Sequence, residues 1–426
     1  MMQNIHSPTH SLDLNIVIIG ASHAGVNLAF NLRQQGWLGS ITLIDSDPEL
    51  PYHRPPLSKK TLQASDTLST PLKAEKAYTD NNLVLRLGQT VTAIDKQANV
   101  ITLDDGSRLT FDKLVLATGC SAFIPPIPGL SDTLDEAGNP QYFAMRTFAD
   151  AKAIKAALNN STNKQVVIIG GGYIGLESAS SFVALGADVT VIEKQDKILS
   201  RVTSSVMSDF LTQLHLDKGV ALHTGKDVVE IQHQGNKHLV VCSDGTHYPA
   251  DFILVGVGVR LNTQLASDAL LTIEQGIKVN DVCQTSHPDI FAIGDCTTYF
   301  SKIYQRWIRL ESVQNAVDQA KSVAQCLTNK APLAPAVPWF WSDQYEYKLQ
   351  IVGLSHGYDE LIVREDSPTQ FSVWYFNAEQ LLCVEAVNNS KAYVLGMQAI
   401  KQNLQVNKQV LKDTTTALTK TSLLSE

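Results

Sequence analysis

Three carboxylates in this sequence each close an apolar run associated with a glycine-bearing turn. Asp45 ends the apolar run SITLID and Glu193 ends GADVTVIE. Each run follows a glycine-rich loop, at about the distance at which a ribose hydroxyl partner belongs. The first loop, NIVIIGASHAG, contains Gly20, Ser22 and Gly25, with Ser22 in place of the usual second glycine. The second, QVVIIGGGYIGLE, has a full GxGxxG at Gly170, Gly172 and Gly175. Loop glycines let backbone approach a pyrophosphate, and the helix that follows offers it free N–H groups and a positive dipole end. The third acid, Asp295, closes IFAIGD, and the carboxyl end of a strand in an open α/β sheet is where ligands bind. No Ser-His-Asp arrangement or paired-cysteine motif accompanies these acids. The chemistry implied is electron transfer between two bound dinucleotides, without a protein nucleophile or general acid.

The elements that must position these residues occur twice. DDGSRLTFDKLVLATG, ending at Gly119, is echoed by SDGTHYPADFILVGVG, ending at Gly258. Each copy has a DG turn, a polar strand, an aspartate and a buried strand. The first copy runs from about residue 15 to 119 and the second from about 165 to 258, an internal repeat that means two similar nucleotide-binding lobes. Between the loops lies PELPYHRPPLSKK, whose Pro51, Pro55 and Pro56 exclude helix or central strand before Leu57. There Ser58 is placed to cap a short helix, while Arg54 and Lys59 either touch cofactor phosphates or ring, or form a solvated basic turn. Residues 83–119 read as short strands, with Val91 at an edge where backbone can meet an adenine. Residues 282–299 read as a strand into Gly294 and Asp295. A helix from Glu311 to Leu327 should bring its positive end beside whatever Asp295 touches. From Ala331 the chain becomes aromatic and strand-like and reads as a third, α+β domain. The segment from Val406 reads as a loosely held polar tail.

Composition narrows the class. With 426 residues, 44% hydrophobic and 18% charged, the chain has room for two or three ordinary globular domains. A formal net charge of −8 argues against nucleic acid as a general partner. The six cysteines, scattered without a CxxC pair, read as reduced, mostly buried thiols, so no metal site is expected. The opening MMQNIHSPTHSLDL lacks a signal-peptide core and no apolar run reaches spanning length, so a cytoplasmic protein is expected.

Five segments together resemble a family: IIGASHAG, YHRPPLSKK, IIGGGYIGLE, IFAIGDC with RLESVQNA, and VPWFWSDQY. They resemble the FAD-dependent, NADH-using reductases that serve ferredoxins or rubredoxins in dioxygenase and cytochrome P450 systems. The resemblance implies an α/β fold with two Rossmann-like lobes of the glutathione-reductase type and a C-terminal α+β domain. It places FAD on residues 1–125 and 250–330, NADH on 126–249, an interface domain at 331–405 and a tail at 406–426. For FAD it implies Gly20, Ser22, Gly25, Asp45, Arg54, Lys59, Val91, Ala117, Thr118, Arg146, Asp295 and Val313, where Val313 replaces a tryptophan common among relatives. For NADH it implies Gly170, Gly172, Ile174, Gly175, Glu193 and Gly258. Lys59 and Glu177 would pair near the isoalloxazine, and Trp341 would stand at its edge. Electrons would leave to a [2Fe–2S] ferredoxin, or a rubredoxin, docking near Arg306, Arg309, Trp341 and Lys348, with Lys302 adding charge. The oligomeric state, monomer or homodimer, stays open. The competing readings are an NADH-dependent flavoenzyme with a small-molecule acceptor (monodehydroascorbate or oxygen) and a non-catalytic flavin-binding protein.

Overall fold

In the computed structural model, residues 13–66, 68–135, 137–234 and 237–425 are described. The chain divides into two compact units. One holds residues up to 53, 70–121 and 261–338; the other holds 54–69, 122–260 and 339 onward.

The first unit is built on a five-stranded parallel sheet. Its order is Ile290–Ala292, Lys113–Leu116, Ile16–Ile19, Ile41–Asp45 and Leu83–Leu87. The central strand, IVII, is buried at all four positions, as expected where both faces of a parallel sheet are covered. Helices His23–Gln34 and Val313–Leu327 pack against each other in this unit. A separate antiparallel sheet, Val91–Asp95, Val100–Leu103 and Arg108–Thr110, carries the DG hairpin.

The second unit repeats the plan. Its parallel sheet runs Ala221–His223, Asp188–Ile192, Gln165–Ile169, Phe252–Val255 and Tyr142–Phe143. Its antiparallel sheet is Val228–Gln234, Lys237–Cys242 and His247–Ala250. The repeated aspartates do the same work in both copies. Asp112 accepts a hydrogen bond from the Asn15 amide (2.7 Å) and Asp251 from the Gln165 amide (3.0 Å), so each anchors the start of its central strand. The same unit contains a five-stranded antiparallel sheet in the order Trp339–Gln344, Tyr347–Gly353, Gln380–Val387, Gln370–Asn377 and Glu360–Ser367. Helix Ser390–Gln402 lies on it closely enough that a Cβ at Gly396 would sit 2.6 Å from Val384 Cγ2.

Four local expectations are corrected. Ser58 caps nothing: the short helix is Lys60–Gln63 with Lys59 at its N-cap, and the Ser58 hydroxyl is taken by Glu177. The helix expected from Glu311 begins at Val313, because Ser312 caps it by accepting from the Asn315 amide. Of residues 282–299, Ile290–Ala292 and Thr297–Ser301 are strand, while Asn280 side-chain bonds turn the chain at Val282 and Gln284. The segment from Val406 is tied down. Gln405–Val406 pairs with Leu424–Ser425, and the buried Arg364 guanidinium donates to the carbonyls of Val410, Asp413 and Thr416 at 2.8–2.9 Å. Nothing in the polarity of that segment announces an arginine on a strand more than forty residues earlier. The leader reading of residues 1–12 lies outside the described residues. Among the described residues no helix is long and apolar enough to cross a membrane.

Candidate functional site

In the first unit, strand Ile16–Ile19 delivers the chain to Gly20 at φ +110°, where a Cβ would lie 2.2 Å from the Ala117 carbonyl oxygen. A Cβ on Gly25 would lie 2.0 Å from the Gly20 carbonyl oxygen, so only glycine permits this closeness of strand, turn and helix. Ser22 is the N-cap of helix His23–Gln34, makes no side-chain cap bond, and no acid occupies the first turn. That helix start is therefore free of competing negative charge. Asp45 closes the loop: one carboxylate oxygen accepts from the Ala21 amide (2.6 Å), the other from Asp47 (2.9 Å).

Other expected residues of this unit surround the same sheet. Ala117 and Thr118 follow strand Lys113–Leu116. Thr118 is fixed by reciprocal bonds with Asn262: its hydroxyl donates to the Asn262 carbonyl (2.7 Å) and its carbonyl accepts from the Asn262 amide side chain (2.9 Å). Val91 is buried at the start of its strand. Asp295 follows Gly294, whose amide donates to Gln319 (2.6 Å), a residue of the helix that Val313 begins. The Cys120 thiol reaches the Asp295 carboxylate at 3.3 Å. Burial raises the neighbouring Cys296 thiol above its ordinary value, so it stays protonated.

The second unit reproduces the loop. Gly170 has φ +109°, and a Cβ there would lie 2.5 Å from the Gly256 carbonyl oxygen. Gly172 is the N-cap of helix Tyr173–Ala184, and a Cβ at Gly175 would meet the Gly170 carbonyl oxygen at 2.3 Å. Glu193 does what Asp45 does: Oε2 accepts from the Gly171 amide (2.7 Å) and Oε1 from Gln195 (2.8 Å). Its neighbour Lys194 is engaged by Asp227 at 2.8 Å. Ile174 is 46% exposed, and Gly258, at φ +125°, has open space where a side chain would be. Two glycine cradles, each with an uncapped, acid-free helix start and an acid tied to the loop, fit a pyrophosphate and ribose in each unit.

The expected Lys59–Glu177 pair forms, at 2.6 Å, within the second unit. Glu177 is nearly inaccessible, and two further donors that the sequence did not reveal complete its shell. The Ser58 hydroxyl donates to Oε2 and the Ser342 hydroxyl to Oε1, both at 2.7 Å. Behind Ser342 the network continues through Gln344 Nε2 (3.1 Å) to His215 Nε2, 2.8 Å from Gln344 Oε1, with Tyr345 Oη at 3.1 Å from His215 Nδ1. Burial depresses the His215 pKa, and the neutral ring passes its Nε2–H to Gln344. Every proton in this series points toward Glu177. Ser342 shares its strand with Trp341, whose ring lies 5.7 Å from Trp339, so the hydroxyl that serves Glu177 also fixes this strand. Arg54 donates to the Arg146 carbonyl at 2.9 Å, also in the second unit.

The basic residues expected at a dock divide between the units. In the first, Lys302 pairs with Asp281 and Arg309 with Glu311, so acids balance two of the three cations. Arg306 stacks on Tyr304, and the 46% exposed Trp307 lies under Lys278. Lys348 belongs to the second unit, opposite Asp343 in register.

Comparison with known proteins accords with this geometry. Residues 14–320 match the model of the pyridine nucleotide-disulphide oxidoreductases, and residues 339–422 match the reductase C-terminal domain. The chain belongs to this family. It is 41% identical to putidaredoxin reductase from Pseudomonas putida over 94% of both chains, and 36% identical to rhodocoxin reductase from Rhodococcus erythropolis over 94% of this chain and 92% of that one. A covalent putidaredoxin reductase–putidaredoxin complex superimposes with a TM-score of 0.89 at 40% identity, covering 94% of this chain and 96% of that chain. The ferredoxin reductase of the CYP199A2 system of Rhodopseudomonas palustris gives 0.90 at 36% identity, covering 96% and 99%. Membership implies FAD and a nicotinamide dinucleotide as cofactors. The disulphide in the family's description has no counterpart here, because all six cysteines are free and five are buried.

Proposed function

We infer that this chain is an FAD-dependent NADH:ferredoxin reductase, passing single electrons to an iron–sulfur carrier of the ferredoxin type. The observation that carries this is the 41% identity to putidaredoxin reductase across 94% of both chains, C-terminal domain included. FAD, when bound, supplies what no side chain can: it takes up a hydride and releases electrons one at a time.

The protein's own part is binding, orientation and charge. We assign the first cradle, Gly20, Ser22 and Gly25 with Asp45, Val91, Ala117, Thr118, Asp295 and the helix that Val313 begins, to FAD. Arg54 and Arg146 are carried over from their motifs. The second, Gly170, Gly172, Ile174 and Gly175 with Glu193 and Gly258, is assigned to the nicotinamide dinucleotide. Glu193 favours NADH over NADPH, since a carboxylate accepts from ribose hydroxyls and repels a 2′-phosphate. Lys194, the cation next to Glu193 in the chain, is engaged by Asp227. Glu177, which accepts from Lys59, Ser58 and Ser342, holds the Lys59 ammonium in place as the charge that serves the flavin. Trp341 is the proposed exit residue, and Arg306, Arg309 and Lys348 are proposed to attract an acidic carrier.

The test is NADH-driven cytochrome c reduction by the yellow holoprotein, with and without added [2Fe–2S] ferredoxins or rubredoxins. Strong stimulation by a ferredoxin, with NADH preferred over NADPH, is the expected result. Rapid flavin bleaching by NADH without stimulation by any carrier would overturn the partner assignment in favour of a small-molecule acceptor. No bleaching at all would overturn the enzyme reading.

A further inference from the structure

Glu385 lies in the C-terminal sheet, 1% exposed, beside the apolar cluster of Leu199, Val373 and Tyr375. No role falls to it in the reading above. Its carboxylate accepts from Thr203 Oγ1 (2.6 and 2.8 Å to its two oxygens) and from the Tyr375 hydroxyl (2.5 Å). The Tyr375 oxygen lies 2.8 Å from Ser204 Oγ. The groups that face this acid are Tyr375 on the adjacent strand, Cys383 on its own strand, Tyr173 on the helix after the second glycine loop, and Thr203 and Ser204. None is a cation.

Thr203 and Ser204 end a turn that reaches back to the nucleotide loop. The Leu199 amide donates to the Gly171 carbonyl (3.1 Å), and the amides of Val202 and Thr203 donate to the Leu199 carbonyl (2.9 and 3.2 Å). The adjoining Ile198 presses on the loop so closely that a Cβ at Gly171 would sit 2.7 Å from its Cγ2. Gly171 is the residue whose amide holds Glu193. Ser204 is the N-cap of helix Ser205–Asp217, yet its side chain makes no cap bond there. The turn therefore has two anchors: Gly171 at one end and the Glu385 cluster at the other.

We propose that Glu385 is a positioning residue for the pyridine-nucleotide loop, acting through Thr203 and the 198–204 turn, so that nucleotide affinity depends on whether Glu385 is ionised. This rests on the assignment of the second glycine loop to the nicotinamide dinucleotide. As a carboxylate, Glu385 receives charge-assisted bonds from Thr203 and Tyr375, and Ser204 donates to Tyr375. Protonated, it must donate to one of those two oxygens itself. Tyr375 can then turn its proton to Ser204, and Thr203 loses its charged acceptor. Burial without a cation raises the Glu385 pKa to about 7, so both states are populated at ordinary pH.

The experiment is equilibrium titration of the oxidised holoprotein with NAD+ at pH 6, 7 and 8, for wild type, Glu385→Gln and Thr203→Val, with circular dichroism as the check on folding. Wild type should bind about fivefold more weakly at pH 6 than at pH 8, the low end of typical coupling between sites. Glu385→Gln, neutral throughout, should show the weaker affinity at pH 8 and no slope, and Thr203→Val should lose the slope while keeping the acid. A slope that survives in Glu385→Gln, or a flat wild type that binds normally, overturns the proposal. Absence of NAD+ binding at every pH would instead sink the nucleotide assignment itself.

Discussion

Replacing Glu193 by alanine separates two things the carboxylate does. Each of its oxygens already accepts one backbone amide, from Gly171 at 2.7 Å and Gln195 at 2.8 Å. A carboxylate oxygen has two lone-pair sites, so one remains on each for a ribose hydroxyl. The bonds to Gly171 and Gln195 shape the loop for any dinucleotide, and losing them should weaken NADH and NADPH alike. The remaining lone pairs discriminate. Hydrogen bonds to a charged group contribute about 1.5–3 kcal/mol each, and roughly half of two such bonds survives solvent competition at this half-exposed site. The preference for NADH should therefore shrink by about 2 kcal/mol, or about 30-fold in the ratio of kcat/KM values. The assay is steady-state reduction of a saturating acceptor with each dinucleotide, for wild type and Glu193→Ala. Equal losses for NADH and NADPH, leaving the ratio unchanged, would refute the argument and make Glu193 a loop-shaping residue only.

Breaking the Lys59–Glu177 pair on one side strands a nearly buried charge, so Lys59→Met or Glu177→Leu alone should destabilise the protein by about 3 kcal/mol and the double variant by much less, as read by urea denaturation with tryptophan fluorescence. Glu385 has an ordinary pKa of 4.5 and a folded value of about 7. Below the ordinary value the carboxyl is neutral folded and unfolded, and the full stability is present. Between that value and the folded one only the unfolded chain gains by ionising, so stability falls across this window, by up to about 3 kcal/mol, and levels off above it. The stability difference between wild type and Glu385→Gln should shift by that amount between pH 5 and 8, and a constant difference would refute it. Arg364→Met removes the clamp on the C-terminal segment and should make residues 410–416 the first site of limited proteolysis, where wild type resists.

Much of this is legible in the sequence alone. Alternation between apolar strand, glycine loop and helix requires only local sequence, and a repeat of it can be read by eye. The structure returned the same hydrogen bonds from both copies: Asp45 and Glu193 on their loops, Asp112 and Asp251 where their central strands begin. Glycines whose Cβ would strike a backbone oxygen leave a mark in the sequence because no other residue fits there. The Lys59–Glu177 pair is implied by the family resemblance, and it forms.

What the tertiary structure decided are the partnerships between distant segments. Ser58 read as a helix cap because its neighbours allow a helix to start there, but a carboxylate more than a hundred residues away claims its hydroxyl. Ser342, Gln344 and His215 behind Glu177, and Thr203 and Tyr375 around Glu385, have no periodicity or spacing to announce them, since each is an ordinary polar residue until the fold buries it. The C-terminal segment read as loose because its composition is polar, and Arg364 holds it through main-chain carbonyls, which every sequence has. Sequence by itself determined the loops, their acids and the family, because these depend on local backbone geometry. Burial, which sets the charge state of Glu385 and the donors around Glu177, is a property of the packed chain.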